Sequence, residues 1–357
     1  VSHEHLTTFP EDPLLDLDPW VGQRQCTFRF DRINGVTGEI LGQVYPIRGA
    51  TLTHDTTRTI KRQLNLALGA ADTATINVIS DRILVFMVFP NGTEYPLGKY
   101  MFTDNSKQFF TSGELANVAL NDEMFLVDQQ ITKGIAGNGG PTMTVVQDVL
   151  NDLPITYVME PSALPAVGSW TVGAGRGSVL EALAKTGDYF SPWFGNDTKM
   201  HWLRSFDSSD GRLPDLDFDT GNKVLRAGIV QTSDLITAPN KFIVISNSAT
   251  DPSTPVVGEA LIDPSAPHSV VNRGFEIPET QDLQLADAIQ AAAVAQNLAN
   301  RQTIFERVTL STAPDPRHDS YTVIRWQGSH WLELAWSMAL VEGGAMGHLL
   351  RKVYGGI

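Results

Sequence analysis

The chain is built from short strand-like runs separated by brief turn clusters, a rhythm broken once by a long alanine-rich segment. Leu64, Leu66 and Leu68 alternate with Gln63, Asn65 and Ala67, the period of a strand with one buried face. Ile76-Asn77-Val78-Ile79 and Ile83-Leu84-Val85-Phe86 are rich in the β-branched and aromatic residues that suit a pleated surface, so both are expected as strands. Pro90-Asn91-Gly92-Thr93 predicts a hairpin turn, because Asn-Gly accepts positive φ angles. Strands this closely spaced between Gln25 and about Phe110 point to a small barrel or sandwich. Near the C-terminus, Ile304–Leu310 and Tyr321–Trp326 read as strands on either side of a Pro314-Asp315-Pro316 turn, and Lys241–Ile245 reads as a strand after Pro239-Asn240.

Between about Ser112 and Leu225 the pattern is mixed. Thr144-Val145-Val146-Gln147 has the form of a capping box opening a short helix that Pro154 ends. Ser178-Val179-Leu180-Glu181 has the same form, with Gly187 as the stop. An aromatic hairpin follows, with Trp193 and Phe194 before a Gly195-Asn196-Asp197 turn and Met200 and Trp202 after it. The alanine-rich segment predicts a long helix over 280–301. At about 100° per residue, Leu285, Ile289, Ala292 and Ala299 share one side, while Val294 and Leu298 point nearly the opposite way. Such a helix is expected to be covered on two sides, by its own domain and either a neighbouring subunit or a second domain of the same chain.

The composition narrows the function. The 357 residues are too many for one compact core and suggest two or three domains. A hydrophobic content of 42% against 18% charged residues excludes a disordered chain. Forty acidic against 26 basic residues give a net charge of −14, the wrong sign for a protein that grips nucleic acid, but suited to a conduit that DNA slides through without sticking. The acidic segment 1–24 carries Leu14, Leu15, Leu17 and Trp20 and reads as a docking arm or a loose terminus. No apolar run reaches the length of a membrane span, and Val1–His5 lacks a signal-peptide pattern, so assembly in a cytoplasm is expected. The single cysteine, Cys26, excludes an intrachain disulfide and a cysteine zinc site.

No motif singles out a catalytic, cofactor-binding or metal-binding residue. His3 and His5 flank Glu4 in what reads as a solvated tail rather than a metal site. Asp215, Asp217 and Asp219 resemble the start of a calcium loop, but Thr220 stands where glycine is needed and Arg226 where glutamate is needed. Their alternation with Leu216 and Phe218 reads better as a strand with one wet face. Gly173-Ala174-Gly175-Arg176-Gly177-Ser178 precedes a helix but lacks the lysine of a phosphate-binding loop and the glycine spacing of a dinucleotide site. No nucleophile elbow is present, and no pair of carboxylates stands out for glycoside hydrolysis.

Ile47-Arg48-Gly49-Ala50-Thr51-Leu52-Thr53-His54-Asp55, then Arg58–Arg62, Leu64-Asn65-Leu66, Asp81-Arg82-Ile83 and Tyr95–Asp104, resemble the minor tail proteins of long-tailed phages that infect actinobacteria. The downstream order of helix, aromatic hairpin, strand, alanine-rich helix and two strands is similar to the broader tail-hub family. The likeness covers most of the chain after Gln25 and rests on diffuse motifs. It implies an α+β, mainly β fold of two small β-barrel modules with an α+β insertion and a long Ala-rich helix. The expected division is an arm at 1–24, a first barrel at 25–112, the insertion at 113–226 and a second barrel at 227–357 interrupted by helix 280–301. It implies a structural baseplate hub rather than an enzyme, with no cofactor. The expected form is a homotrimer whose six barrels make a pseudo-sixfold ring joining the tail tube to the tip. Its expected partners are distal tail or tube proteins, tip or fibre proteins, the tape-measure protein, and DNA only in transit; its expected place is the virion. Many tail-tip relatives carry a long C-terminal extension where this sequence ends at Gly355-Gly356-Ile357, so receptor binding or wall cleavage at the tip is expected to be the work of other chains. Two rivals remain: a carbohydrate-binding module using Trp193 and Trp202, and a cell-wall hydrolase.

Overall fold

The computed structural model describes residues 26–110, 113–162, 164–205, 212–220, 224–233, 235–246, 255–285, 287–302 and 306–353. Strands dominate. The main sheet runs from Val224–Ser233 through Glu306–Thr312, Met346–Val353, Ser329–Leu340, Ala50–Asp55, Arg62–Gly69, Gly113–Asp122, Glu94–Phe110, Asp81–Val88 and Thr27–Asn34 to Ile40–Gln43. Val323–Trp326 branches from Ser329–Leu340 and carries the two-residue parallel strand Leu216–Asp217. The path joins the early and late parts of the chain, because Ala50–Asp55 pairs with Ser329–Leu340 in the register His54 opposite Trp336. Among the described residues the strand order is an open path, so the pairing does not close either of the two expected barrels.

Alternation builds the first core. Leu64, Leu66 and Leu68 are buried together with Leu52, Ile83, Val85, Met87, Tyr100 and Leu120, and Trp336, Met338 and Leu340 from the late strand complete the same cluster. Cys26 lies buried at its margin as a small apolar filler. The expected turn lies between Asp81–Val88 and Glu94–Phe110, but only Gly92, at φ 85°, takes the positive φ, so it is not the type I′ turn that Asn91-Gly92 suggests. Ile76–Ile79, expected as a strand, is instead turn and coil with Ile79 83% exposed. The carboxylate of Asp81 accepts from Asn77 N and the Asn77 side chain accepts from Ile79 N, and these local bonds outcompete β propensity.

The insertion packs helices Thr142–Leu150 and Arg176–Gly187 over a separate core that includes Leu180, Leu183, Tyr189, Phe194 and Trp202. Neither expected capping box caps. Thr144 and Ser178 sit inside helices whose N-caps are Pro141 and Gly175, with no side-chain bond at either cap. The second helix ends at Gly187 as expected, with Asp188 taking the left-handed conformation after it.

The alanine-rich helix spans Ala288–Gln302, not 280–301. The stretch Pro278–Asp282 is a strand parallel to Lys241–Ser246, which also pairs with Val256–Leu261. Pairing with a distant strand has overridden the start signals there. The helix lies on this three-stranded sheet through Ala291, Val294, Ala295 and Ala299, while Ile289 is 81% exposed and Ala292 is exposed. The sheet thus covers one side of the helix, one of the two contacts expected for it. The fit is close because a Cβ on Gly258 would lie 2.2 Å from the Ala291 carbonyl carbon. Gln290, also buried, reaches the insertion by donating to the carbonyls of Pro165 and Thr186.

Candidate functional site

The insertion, the early strands and the late strands meet at the loop 313–322, which leads into Val323–Trp326. Local bonds shape the loop. Asp315 accepts from Arg317 N at 3.0 Å and pairs with the Arg317 guanidinium. Asp319 N donates to Thr322 Oγ1 at 3.0 Å and Asp319 Oδ1 accepts from Ser320 N at 2.7 Å. The loop so shaped presents Asp319 to the other two bodies. Arg62, wholly buried on its early strand, donates to Asp319 Oδ1 and to Asn196 Oδ1, each at 2.6 Å. Trp193 Nε1 donates to the same Asp319 oxygen at 3.0 Å, and Asn196 Nδ2 donates to the carbonyls of Pro316 and His318 at 2.9 Å. His54 bonds to Ser320 Oγ and stacks on Trp336 with 5.4 Å between ring centroids. Burial pushes His54 well below its ordinary pKa, and the nearby Arg62 pushes it the same way, so this imidazole is neutral.

Beneath Arg62 lies Asp122, whose two oxygens accept from Arg62 N at 3.1 Å and Met124 N at 3.0 Å. Burial pushes its carboxyl up to about 7, against the opposing pull of the Arg62 guanidinium and the two backbone donors. Tyr100, also buried, donates to the Leu97 carbonyl at 2.6 Å and is raised by burial.

A second buried polar group sits just behind the loop. Glu333 Oε2 lies 2.7 Å from His318 Nδ1, and Oε1 lies 2.6 Å from His348 Nδ1. His348 Nε2 lies 2.8 Å from Thr312 Oγ1. All three titratable side chains are fully buried, and Phe218 packs against both imidazoles. Burial alone would raise the Glu333 carboxyl, but the imidazoles, His318 foremost, outweigh it and hold it at about 2. Sequence reading passed over this group because its members stand 15 residues apart on three segments that only the meander brings together. It likewise passed over Arg62, whose burial depends on partners more than 100 positions away.

The sequence candidates fall elsewhere. Trp193 and Trp202, the residues of the carbohydrate reading, are only 4% and 0% exposed and serve as packing. Asp215, Asp217 and Asp219 flank the buried Leu216 and Phe218, as a strand with one wet face should. Rather than a calcium loop they form a clamp: Asp215 accepts from Val323 N at 2.8 Å, and Asp219 accepts from the turn amides of Gln327 and Gly328. Gly173–Ser178 leads into the helix at Arg176, whose guanidinium is buried and turned onto Asp152. His3, Glu4 and His5 lie outside the described residues. An open trough of about 560 Å³ is lined by Arg48, Thr51, Asn65, Asn117 and Val341 among others, with no acid–base pair in its lining. No helix among the described residues is long and apolar enough to cross a membrane.

No family model matches the chain, and no curated protein matches it. Solved structures do. A 43 kDa tail protein of prophage MuSo2 from Shewanella oneidensis is similar at a TM-score of 0.60 and 13% identity, over 91% of this chain and 98% of that one. A tail protein from Neisseria meningitidis MC58 is similar at 0.59 and 11% identity, over 91% and 96%. An Escherichia coli component of the type VI secretion system, described as similar to the bacteriophage T4 tail proteins gp27 and gp5, is similar at 0.50 and 9% identity, over 94% and 76%. The fold is therefore one found in phage tail proteins and in a component of the type VI secretion system.

Proposed function

We propose that the chain is a structural component of a phage tail tip: a baseplate hub that joins the tail tube to the tip and surrounds the channel for the tape-measure protein and DNA. The observation that carries this reading is the end-to-end match to the Shewanella tail protein, which spans nearly the whole of both chains. Two features support it. The buried polar junction around Arg62 and Asp319 locks three bodies together, which suits a load-bearing part more than a moving catalyst. The net charge of −14 suits a wall past which DNA slides. On this reading the protein has no turnover and belongs to the virion. It repeats as a homotrimer with its modules at 25–112 and 227–357 alternating around the axis, and it contacts tube and tip proteins. The likeness to actinobacterial minor tail proteins is part of the same proposal.

Electron cryomicroscopy of intact particles, with the chain located by a small internal tag, tests it. Three copies at the junction of tube and tip are expected. Density along the whole tube, or absence of the chain from purified particles, would overturn the reading.

A further inference from the structure

We propose that His318, Glu333 and His348 form a binding site for one divalent transition-metal ion of the zinc class, held by the two Nδ1 atoms and the carboxylate. The candidate ligand atoms lie within 4.8 Å of one another, and all three side chains are buried. Two imidazoles and a carboxylate are a donor set that zinc takes.

Each Nδ1 faces one oxygen of the Glu333 carboxylate, His318 at 2.7 Å and His348 at 2.6 Å. With a proton on each Nδ1 these contacts are hydrogen bonds that gather the three side chains. A divalent ion that displaced those two protons would find two imidazole lone pairs and an ionised carboxylate already assembled. Thr312 Oγ1 lies 2.8 Å from His348 Nε2, where it can accept from the Nε2–H of a metal-bound ring. The surroundings match those of a held metal. A ligating histidine ordinarily donates its far N–H to a neighbouring acceptor, which is the part Thr312 plays. Phe218, Val308, Trp326, Trp331 and Leu350 make an apolar shell on the same core. The three ligands come from a loop and two strands, so one ion would fasten the meander that ends the main sheet.

The test uses the full chain without a histidine tag. It is purified without chelator, its metal content is measured by plasma mass spectrometry, and it is then stripped and titrated with Zn²⁺ and Co²⁺. About one equivalent of metal per chain is expected, with visible d–d absorption from the Co²⁺ form. The melting temperature should fall on stripping and recover with Zn²⁺. Thr312→Ala should weaken Zn²⁺ binding by about 10–100-fold, the usual effect of removing such a support. His348→Asn should abolish one-equivalent binding. If either variant fails to fold, the wild-type titration still decides. A stripped wild type that takes up neither ion, with a melting temperature indifferent to chelator and Zn²⁺, would overturn the site.

Discussion

Replacing Arg62 with methionine should destabilise the protein through the junction rather than through lost volume. Methionine keeps most of the stem, so little cavity forms. What disappears is a guanidinium whose side chain is 1% exposed and which donates to Asn196 and Asp319 at 2.6 Å. Removing one partner of a buried ion pair costs about 3–5 kcal/mol, because the other charge is left uncompensated. Here the lower end applies. Asp319 is 27% exposed and keeps bonds from Trp193 Nε1 and Ser320 N, so water and neighbours still serve it. Asn196 Oδ1 loses the guanidinium donor, an orphaning worth about 1–3 kcal/mol. We expect about 3 kcal/mol for Arg62→Met and about 1–3 kcal/mol for Asp319→Asn. The double variant should fall short of the sum by at least about 1 kcal/mol, the coupling expected of groups in one network. Urea unfolding followed by tryptophan fluorescence reads the junction directly, since Trp193 and Trp336 lie within it. Far-ultraviolet dichroism on the same samples checks that the whole chain unfolds in one step. Additive losses, or an Arg62→Met variant as stable as the wild type, would refute the keystone role.

Two further outcomes follow from single contacts. Gly258→Val should cost more than about 3 kcal/mol, the top of the ordinary overpacking range, because the new side chain meets helix backbone at Ala291 and Ala292, which cannot rotate away; thermal melting and limited proteolysis around Ala288–Gln302 check it, and an unchanged melting temperature would contradict the close approach. For Asp122, a folded pKa raised to about 7 means that its contribution to stability is present below the unfolded carboxylate range and lost as pH rises through 7. Lowering pH from about 8 to 5.5 should therefore stabilise the wild type by about 2 kcal/mol through this group. Asp122→Asn should lose that increment, and identical pH profiles for the two proteins would argue that Asp122 is ionised throughout.

Much of the fold was legible where a local pattern and a tertiary need coincide. Leu64, Leu66 and Leu68 alternate because one face of their strand is core, and Asn91-Gly92 turns because the chain must reverse there. The Asp215–Asp219 alternation reads as a strand, yet only Leu216–Asp217 pairs as one, and nothing in it marks the clamp on the Gln327-Gly328 turn. The misses occur where long-range pairing or a local bond decides. Pro278–Asp282 carries helix-start residues but is held as a strand by Lys241–Ser246. Ile76–Ile79 has strand residues but is bent by Asp81 and Asn77. Nothing in the sequence marks Arg62 or the His318–Glu333–His348 group as buried, since burial there is a property of three segments meeting. Function left its trace in the sequence only as an absence of catalytic motifs joined to a diffuse resemblance, and the fold is one also found in phage tail proteins.

The pairing of Ala50–Asp55 with Ser329–Leu340 also sets a timetable for biosynthesis. Thr56 donates to the Leu334 carbonyl across 278 positions of chain, so the early strand is made long before its partner leaves the ribosome. Until then one side of Ala50–Asp55 offers bare amide and carbonyl groups, a template for mispairing between nascent chains. Contacts this remote slow folding and lengthen that exposure. Truncated products that end before Ser329 should accordingly be the aggregating species in an expression culture, and slower translation would prolong the hazard instead of relieving it.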